Sequence, residues 1–153
     1  MADTVVTPGD VGDLDAICRL LAASGLPTQD LSAEAAPAFL VVRRGTGIVG
    51  CVAVERCGEF GLLRSLAVAV SERGKGLGDR LAAEAEQLAR QVGIARLYLL
   101  TMTATAFFEH RGYRLTDRAE APEAIARSTQ FSGLCPGSSS FMSKPLPQAK
   151  GAR

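Results

Sequence analysis

Histidine occurs once in this chain, at His110, and tyrosine only twice, at Tyr98 and Tyr113. The four cysteines, Cys18, Cys51, Cys57 and Cys135, form no Cys-x-x-Cys pair. With one histidine and no clustered thiols there is no zinc ligand set, and the cysteines read as reduced structural thiols. Long hydrophobic runs are also missing. Stretches such as Leu97 to Leu100 fall far short of the roughly 18 residues a membrane span needs. The opening Met-Ala-Asp-Thr-Val-Val has neither the basic stretch nor the apolar core of a secretory leader, so the expected location is cytoplasmic. Charge of one sign is absent too: 17 Lys and Arg balance 16 Asp and Glu, a net charge of +1. There is no bulk attraction to nucleic acid or an anionic membrane, and any anion site has to be local.

What is present fits one globular domain. The chain has 153 residues, 47% hydrophobic and 22% charged, enough for a single ordinary core. The expected organisation is one domain over residues 1–145 with a flexible tail over 146–153.

Asp10 to Ser24 reads as a helix, with Asp10 and Asp13 as a capping pair, Val11, Leu14, Ile17, Cys18 and Leu21 on one apolar face, and Gly25 as the stop. Leu26 to Pro37 is a connector with a helical turn from Ser32. Phe39 to Val42 and Ile48 to Glu55 make a hairpin around Gly45-Thr46-Gly47. Gly58 and Gly61 mark the next reversal, and Leu62 to Val70, apolar except at Arg64 and Ser65, reads as a central strand buried on both faces. After the glycine-rich Arg73 to Gly78, a helix carries Leu77, Leu81, Ala85, Leu88 and Val92 on one stripe and ends at Gly93. A strand over Arg96 to Thr101, a short helix over Ala104 to Arg111, a strand over Tyr113 to Thr116, a helix over Pro122 to Ser128 and a strand over Ser138 to Ser143 follow. The sum is an α/β fold, a mixed and mostly antiparallel sheet of six to seven strands between helices.

The chemistry is expected where the central strand meets its helix. Gly74, Gly76 and Gly78 leave backbone N–H groups bare at the positive end of a helix dipole, which suits a pyrophosphate; a plain sharp turn is the competing reading. A Walker A loop is excluded, because Lys75 lies between glycines with no Ser or Thr after it. A dinucleotide fingerprint fails as well, since counting from Gly74 puts Asp79 at the third glycine and no acidic residue follows over Ile94 to Leu100.

Leu66-Ala67-Val68 followed by Arg73-x-x-Gly76-x-Gly78 resembles the acetyl-coenzyme A motif of the GNAT acetyltransferases. The similarity runs over roughly Asp10 to Ser143 and includes Leu97 to Leu100 and Phe107-Phe108-x-x-x-Gly112-Tyr113. The stretches Gly61 to Val68, Leu99 to Ala104 and Leu134-Cys135-Pro136 resemble the arsenic-resistance branch of that superfamily. The resemblance implies acetyl-CoA as cofactor, with the backbone of Leu66, Ala67 and Val68 pairing with the pantetheine arm. The amides of Arg73, Gly74, Lys75, Gly76, Leu77 and Gly78 would hold the pyrophosphate, and Arg73 and Lys75 would add charge. Thr101, Ala104, Phe107 and Phe108 complete the implied cofactor contacts.

One departure from the family matters. Phe108 stands where many members carry the tyrosine that protonates the departing thiolate, and a phenyl ring has no proton to give. Tyr98, Tyr113 and His110 read as packing or capping groups. For the base that takes a proton from the attacking amine, Glu55 and Glu59 are the candidates. Arg64, which breaks an apolar strand, needs an anion beside it: an internal bridge to Glu55 or Glu59, or, together with Arg43, the carboxylate or arsenic oxyanion of an acceptor. The expected partner is a small-molecule amine, with no nucleic acid and no membrane, and a homodimer is left open. The expected function is acetyl transfer to a small anionic amine, with arsenical detoxification as its specific form. The alternatives are an acyl-CoA binding or sensing module without catalysis and an acetyltransferase acting on protein amines.

Overall fold

The computed structural model describes residues 5–32, 37–134 and 139–147. Seven strands form a sheet in the order β1-β2-β3-β4-β5-β7-β6. They are β1 (Val6–Pro8), β2 (Ala38–Arg44), β3 (Gly47–Cys57), β4 (Phe60–Val68), β5 (Arg96–Thr101), β6 (Arg114–Leu115) and β7 (Ser140–Pro145). Four α-helices accompany them: α1 (Leu14–Ala23), α2 (Leu77–Gln91), α3 (Thr105–His110) and α4 (Glu123–Ala126). The chain divides into two compact units, Met1–Val54 with Ser65–Ala85, and Glu55–Arg64 with Glu86–Arg153.

In the first unit, α1 is introduced by a 3-10 turn, Val11–Asp13, closed by a reciprocal capping box between Asp10 and Asp13, as the sequence predicts. The apolar face differs at its start: Ile17 and Leu21 are buried, but Val11 is 66% exposed, because it lies in the 3-10 turn ahead of the helix. Ile17 and Leu21 pack on Phe39, Val41, Cys51, Ala53 and Ala67. The opposite side chains of β3 meet α2, for a Cβ at Gly50 would lie 3.0 Å from Leu81 and 3.5 Å from Leu77. Strand alternation therefore puts α1 and α2 on opposite faces of this part of the sheet. Burial pushes the Cys51 thiol up to about 12 and, in the second unit, the Cys57 thiol up to about 11. Cys18, Cys51 and Cys57 are free; Cys135 and the helical turn expected just after Ser32 lie outside the described residues.

β4 begins at Phe60, earlier than the expected Leu62, and ends at Val68. Gly61 is thus not part of the reversal, which Gly58 makes at φ 65. Gly61 lies inside the strand, where a Cβ would meet Ile94 at 2.9 Å and Leu97 at 3.0 Å. Val70 falls beyond the strand and is 77% exposed.

In the second unit, β4 pairs in parallel with β5 through Gly61 with Leu97 and Leu62 with Tyr98. β7 lies between β5 and β6, antiparallel to both. Cys57, Leu62, Tyr98, Ile125 and Phe141 form its core, joined by Phe60 and Phe131. Tyr98 stacks on Phe141 with ring centroids 5.5 Å apart. Past β7, Leu146 is buried and its N–H donates to the Ala95 carbonyl at 2.9 Å. Helices end close to where glycine predicts: Gly93 follows α2 at φ 83. Val92, expected on the buried stripe, is 47% exposed, because it follows the last helical residue.

Candidate functional site

In the first unit, the path from β4 to α2 is a built loop. Ala69 donates its N–H to Val49 O at 2.8 Å, and a 3-10 turn over Val70–Glu72 reverses the chain. Gly74 and Gly76 both sit at φ 80, a conformation that costs other residues energy. A Cβ at either would meet nothing within 4 Å, so both look onto open space. α2 follows directly at Leu77 and runs for 15 residues. Its i→i−4 ladder begins with Arg80 N–H to Gly76 O at 3.1 Å, and the N–H groups ahead of it point out of the positive end of the dipole. Two left-handed glycines, open space beside them and a helix N-terminus directly after them fit a diphosphate.

The loop's charged side chains are engaged inside the protein. Arg73 donates from Nε to Val68 O at 3.0 Å, so both the arginine and the carbonyl expected to serve the cofactor are joined to each other. Lys75 Nζ and Arg44 Nε each lie 3.6 Å from Glu72 Oε1. Arg43, expected to reach an acceptor, is committed elsewhere: Nη1 and Nη2 donate to the two carboxylate oxygens of Asp13, each at 2.7 Å. This fork ties β2 to the turn that starts α1, and the Arg43 guanidinium holds the Asp13 carboxyl down at about 2.

In the second unit, Arg64 meets Glu55. Nη1 donates to Oε1 at 3.0 Å, with the arginine side chain 1% exposed. The internal bridge is the arrangement adopted, since an arginine this deep requires an anion at hand. Ser65, next in the strand, has φ 59, the only non-glycine with positive φ among the described residues. Its carbonyl accepts from Cys51 Sγ at 3.3 Å. Gly61 to Ser65 are buried in succession, as the sequence predicts for a central strand covered on both faces. Glu59 lies exposed in the turn before β4.

Thr101 accepts the Ala104 N–H on Oγ1 at 3.0 Å and so fixes the start of α3. Phe108 is 5% exposed, edge-to-face with Phe107 at 5.0 Å and with Tyr113 at 5.4 Å. Tyr113 donates its hydroxyl to Glu86 Oε2 at 2.9 Å, and burial, then the Glu86 charge, drives its pKa far up. It therefore packs against Phe108 and donates a hydrogen bond to Glu86. Sequence reasoning missed Glu86 altogether. Its Oε1 also accepts from Arg111 at 3.2 Å and Lys144 at 3.1 Å. The available signal was its position on the apolar side of α2, four residues after Ala82 and three before Ala89.

The profile of the acetyltransferase (GNAT) domain family matches residues 35–115, more than half of the chain. The chain belongs to the GNAT acetyltransferase family. An amino-acid acetyltransferase of Neisseria meningitidis is 26% identical over 130 residues, covering 82% of this chain and 30% of the relative. One from Pseudomonas aeruginosa is 30% identical over 127 residues, covering 80% of this chain and 29% of the relative. This GNAT chain thus spans about 30% of the length of these curated relatives. Among solved structures, N-acetylglutamate synthase from Neisseria gonorrhoeae, complexed with coenzyme A and L-arginine, has the same fold. It matches at TM-score 0.80 and 22% identity, over 97% of this chain and 34% of that one. A Mycobacterium tuberculosis protein in complex with CoA matches at TM-score 0.79 and 23% identity, over 94% and 99% of the two chains.

Proposed function

We propose that this GNAT chain is an acetyl-CoA-dependent N-acetyltransferase acting on the primary amine of a small, amino-acid-like acceptor. The observation that carries the cofactor is the loop with Gly74 and Gly76 at φ 80, open space beside both, leading directly into α2. The amides from Arg73 to Gly78 bind the pyrophosphate there, and the bound thioester supplies the activated acetyl group. The acceptor class is supported by the relatives, which are amino-acid acetyltransferases. An arsenic-bearing amino-acid-like acceptor is the narrower form of the proposal, supported by the stretches Gly61 to Val68 and Leu99 to Ala104.

Within this reading Glu55 is the general base. One carboxylate oxygen accepts from Arg64 while the side chain remains 29% exposed, which leaves lone pairs for an amine proton, directly or through one water. Arg64 is the residue that orients it, a role that suits a guanidinium 1% exposed better than holding an acceptor from solvent. Glu59, exposed in its turn, is the second candidate base. Phe108 contributes an apolar wall and no proton. The cytoplasm is the proposed location; three free thiols support it, and among the described residues no helix is long and apolar enough to cross a membrane.

The test is thiol release from acetyl-CoA with a panel of free α-amino acids, amino-acid-like arsenicals and peptide N-termini. Turnover with free amino acids is the expected result, and turnover with arsenicals above the rest establishes the narrower form. Turnover with peptides alone overturns the acceptor class. CoA binding without turnover on any amine makes the chain a binding module.

A further inference from the structure

We propose that Glu72 is a counter-charge of the phosphate loop, an internal carboxylate that engages Lys75 and the neighbouring Arg44 and so loosens the hold on coenzyme A. The proposal rests on the cofactor reading above. Glu72 closes the 3-10 turn immediately before Arg73 and the two left-handed glycines. Its side chain is 14% exposed, and Lys75 Nζ and Arg44 Nε both stand 3.6 Å from Oε1. That oxygen is buried yet accepts no hydrogen bond among the described residues. A glutamate that merely braced the turn would be expected to accept a hydrogen bond on this oxygen, since buried polar atoms rarely go without a partner. Here the contact with both cations is electrostatic at a distance beyond direct bonding.

The consequence for a phosphate ligand follows from charge alone. A polyphosphate that settles over Gly74 and Gly76 meets backbone donors first, and it gains Lys75 only by drawing that side chain from Glu72. Lys75 is 60% exposed on a flexible stem and free to swing. The carboxylate also repels the ligand directly, at short range and from a partly desolvated position where screening is weak. A residue with this role lowers affinity for every phosphorylated form and leaves the unphosphorylated arm untouched. It thereby favours release of the product, a step that limits turnover in many enzymes.

The experiment is calorimetric titration of wild type, Glu72→Gln, Lys75→Gln and the double variant with CoA and with pantetheine at low and high salt. Glu72→Gln keeps the shape and removes the charge, so CoA affinity is expected to rise about threefold to tenfold at low salt, the gain shrinking at high salt. Pantetheine binding stays the same. Lys75→Gln costs less than threefold with Glu72 present and more than threefold once Glu72 is Gln, a coupling read from the double-mutant cycle. Unchanged or weaker CoA binding in folded Glu72→Gln overturns the proposal. Should that variant not fold, Lys75→Gln alone decides: a loss below threefold supports the counter-charge and a larger loss overturns it. Wild type with no affinity for CoA overturns the cofactor reading itself, and this proposal with it.

Discussion

Arg64 and Glu55 share a 3.0 Å hydrogen bond between unequal partners, the arginine side chain 1% exposed and the glutamate 29%. The glutamate reaches solvent and the guanidinium does not, so the loss of this bond falls on the buried partner. Glu55→Gln is therefore expected to cost about 3 kcal/mol, the lower end for breaking a buried ion pair, and to lower the melting temperature by roughly 6–12 °C. Arg64→Lys should also melt lower, with reduced kcat and an unchanged acceptor KM. A raised KM at unchanged melting temperature would return Arg64 to the acceptor.

Gly76→Val tests the loop. At φ 80 a β-branched residue is strained by about 1–2 kcal/mol, but a Cβ there meets no atom within 4 Å, so the variant should fold. Relief of the strain re-aims the loop's N–H groups, and CoA affinity is expected to fall at least about tenfold. Equal affinity in a calorimetric titration of folded protein would sink the cradle.

Phe108→Tyr separates shape from proton transfer. Phe108 is 5% exposed between Phe107 and Tyr113, so a new hydroxyl there costs about 1–3 kcal/mol unless it finds an acceptor. The variant should melt a few degrees lower and turn over at least as fast as wild type. A loss of turnover beyond about a hundredfold, the scale of a removed acid or base, would show that ring shape at position 108 governs the reaction.

Acid stability should carry the signature of Asp13. Its carboxyl is held at about 2, against an ordinary value of 3.8, chiefly by hydrogen bonds from Arg43. A depressed acid contributes stability that is complete above its unfolded pKa and lost as pH falls through its folded one. Urea unfolding of wild type and Asp13→Asn should therefore differ by a constant amount above pH 5, and the difference should shrink between pH 4 and pH 2. A gap that stays constant down to pH 2 would contradict the pairing.

The elements that declare themselves by local pattern were legible. The capping box at Asp10 and Asp13, the hairpin around Gly45 to Gly47, the strand over Arg96 to Thr101 and the glycine loop all appear where the residues predict. The misses share a cause, because each depends on a partner far along the chain. Gly61 looks like punctuation until Ile94 and Leu97 occupy the space of its Cβ. Arg43 looks available until Asp13 closes on it. Glu86 looks like one more surface acid on α2 until Tyr113, Arg111 and Lys144 converge on it. Ser65 gives no sign of a left-handed conformation, which serine rarely adopts.

The position of β7 bears on how the chain reaches its native state during synthesis. β7 follows β6 in sequence, yet inserts between β5 and β6, with Arg96 opposite Pro145 and Arg114 opposite Ser143. β5 can join β4 as soon as it is made, but its other edge, and β6 altogether, have no strand to pair with until β7 has left the ribosome. Strand-by-strand assembly thus stops at β5, and the β7-β6 end of the sheet has to await loop closure over β6 and α4. In the interval β5 presents an apolar, unpaired edge, a hazard confined to the time when Leu97 to Leu100 has emerged and Ser140 to Pro145 has not.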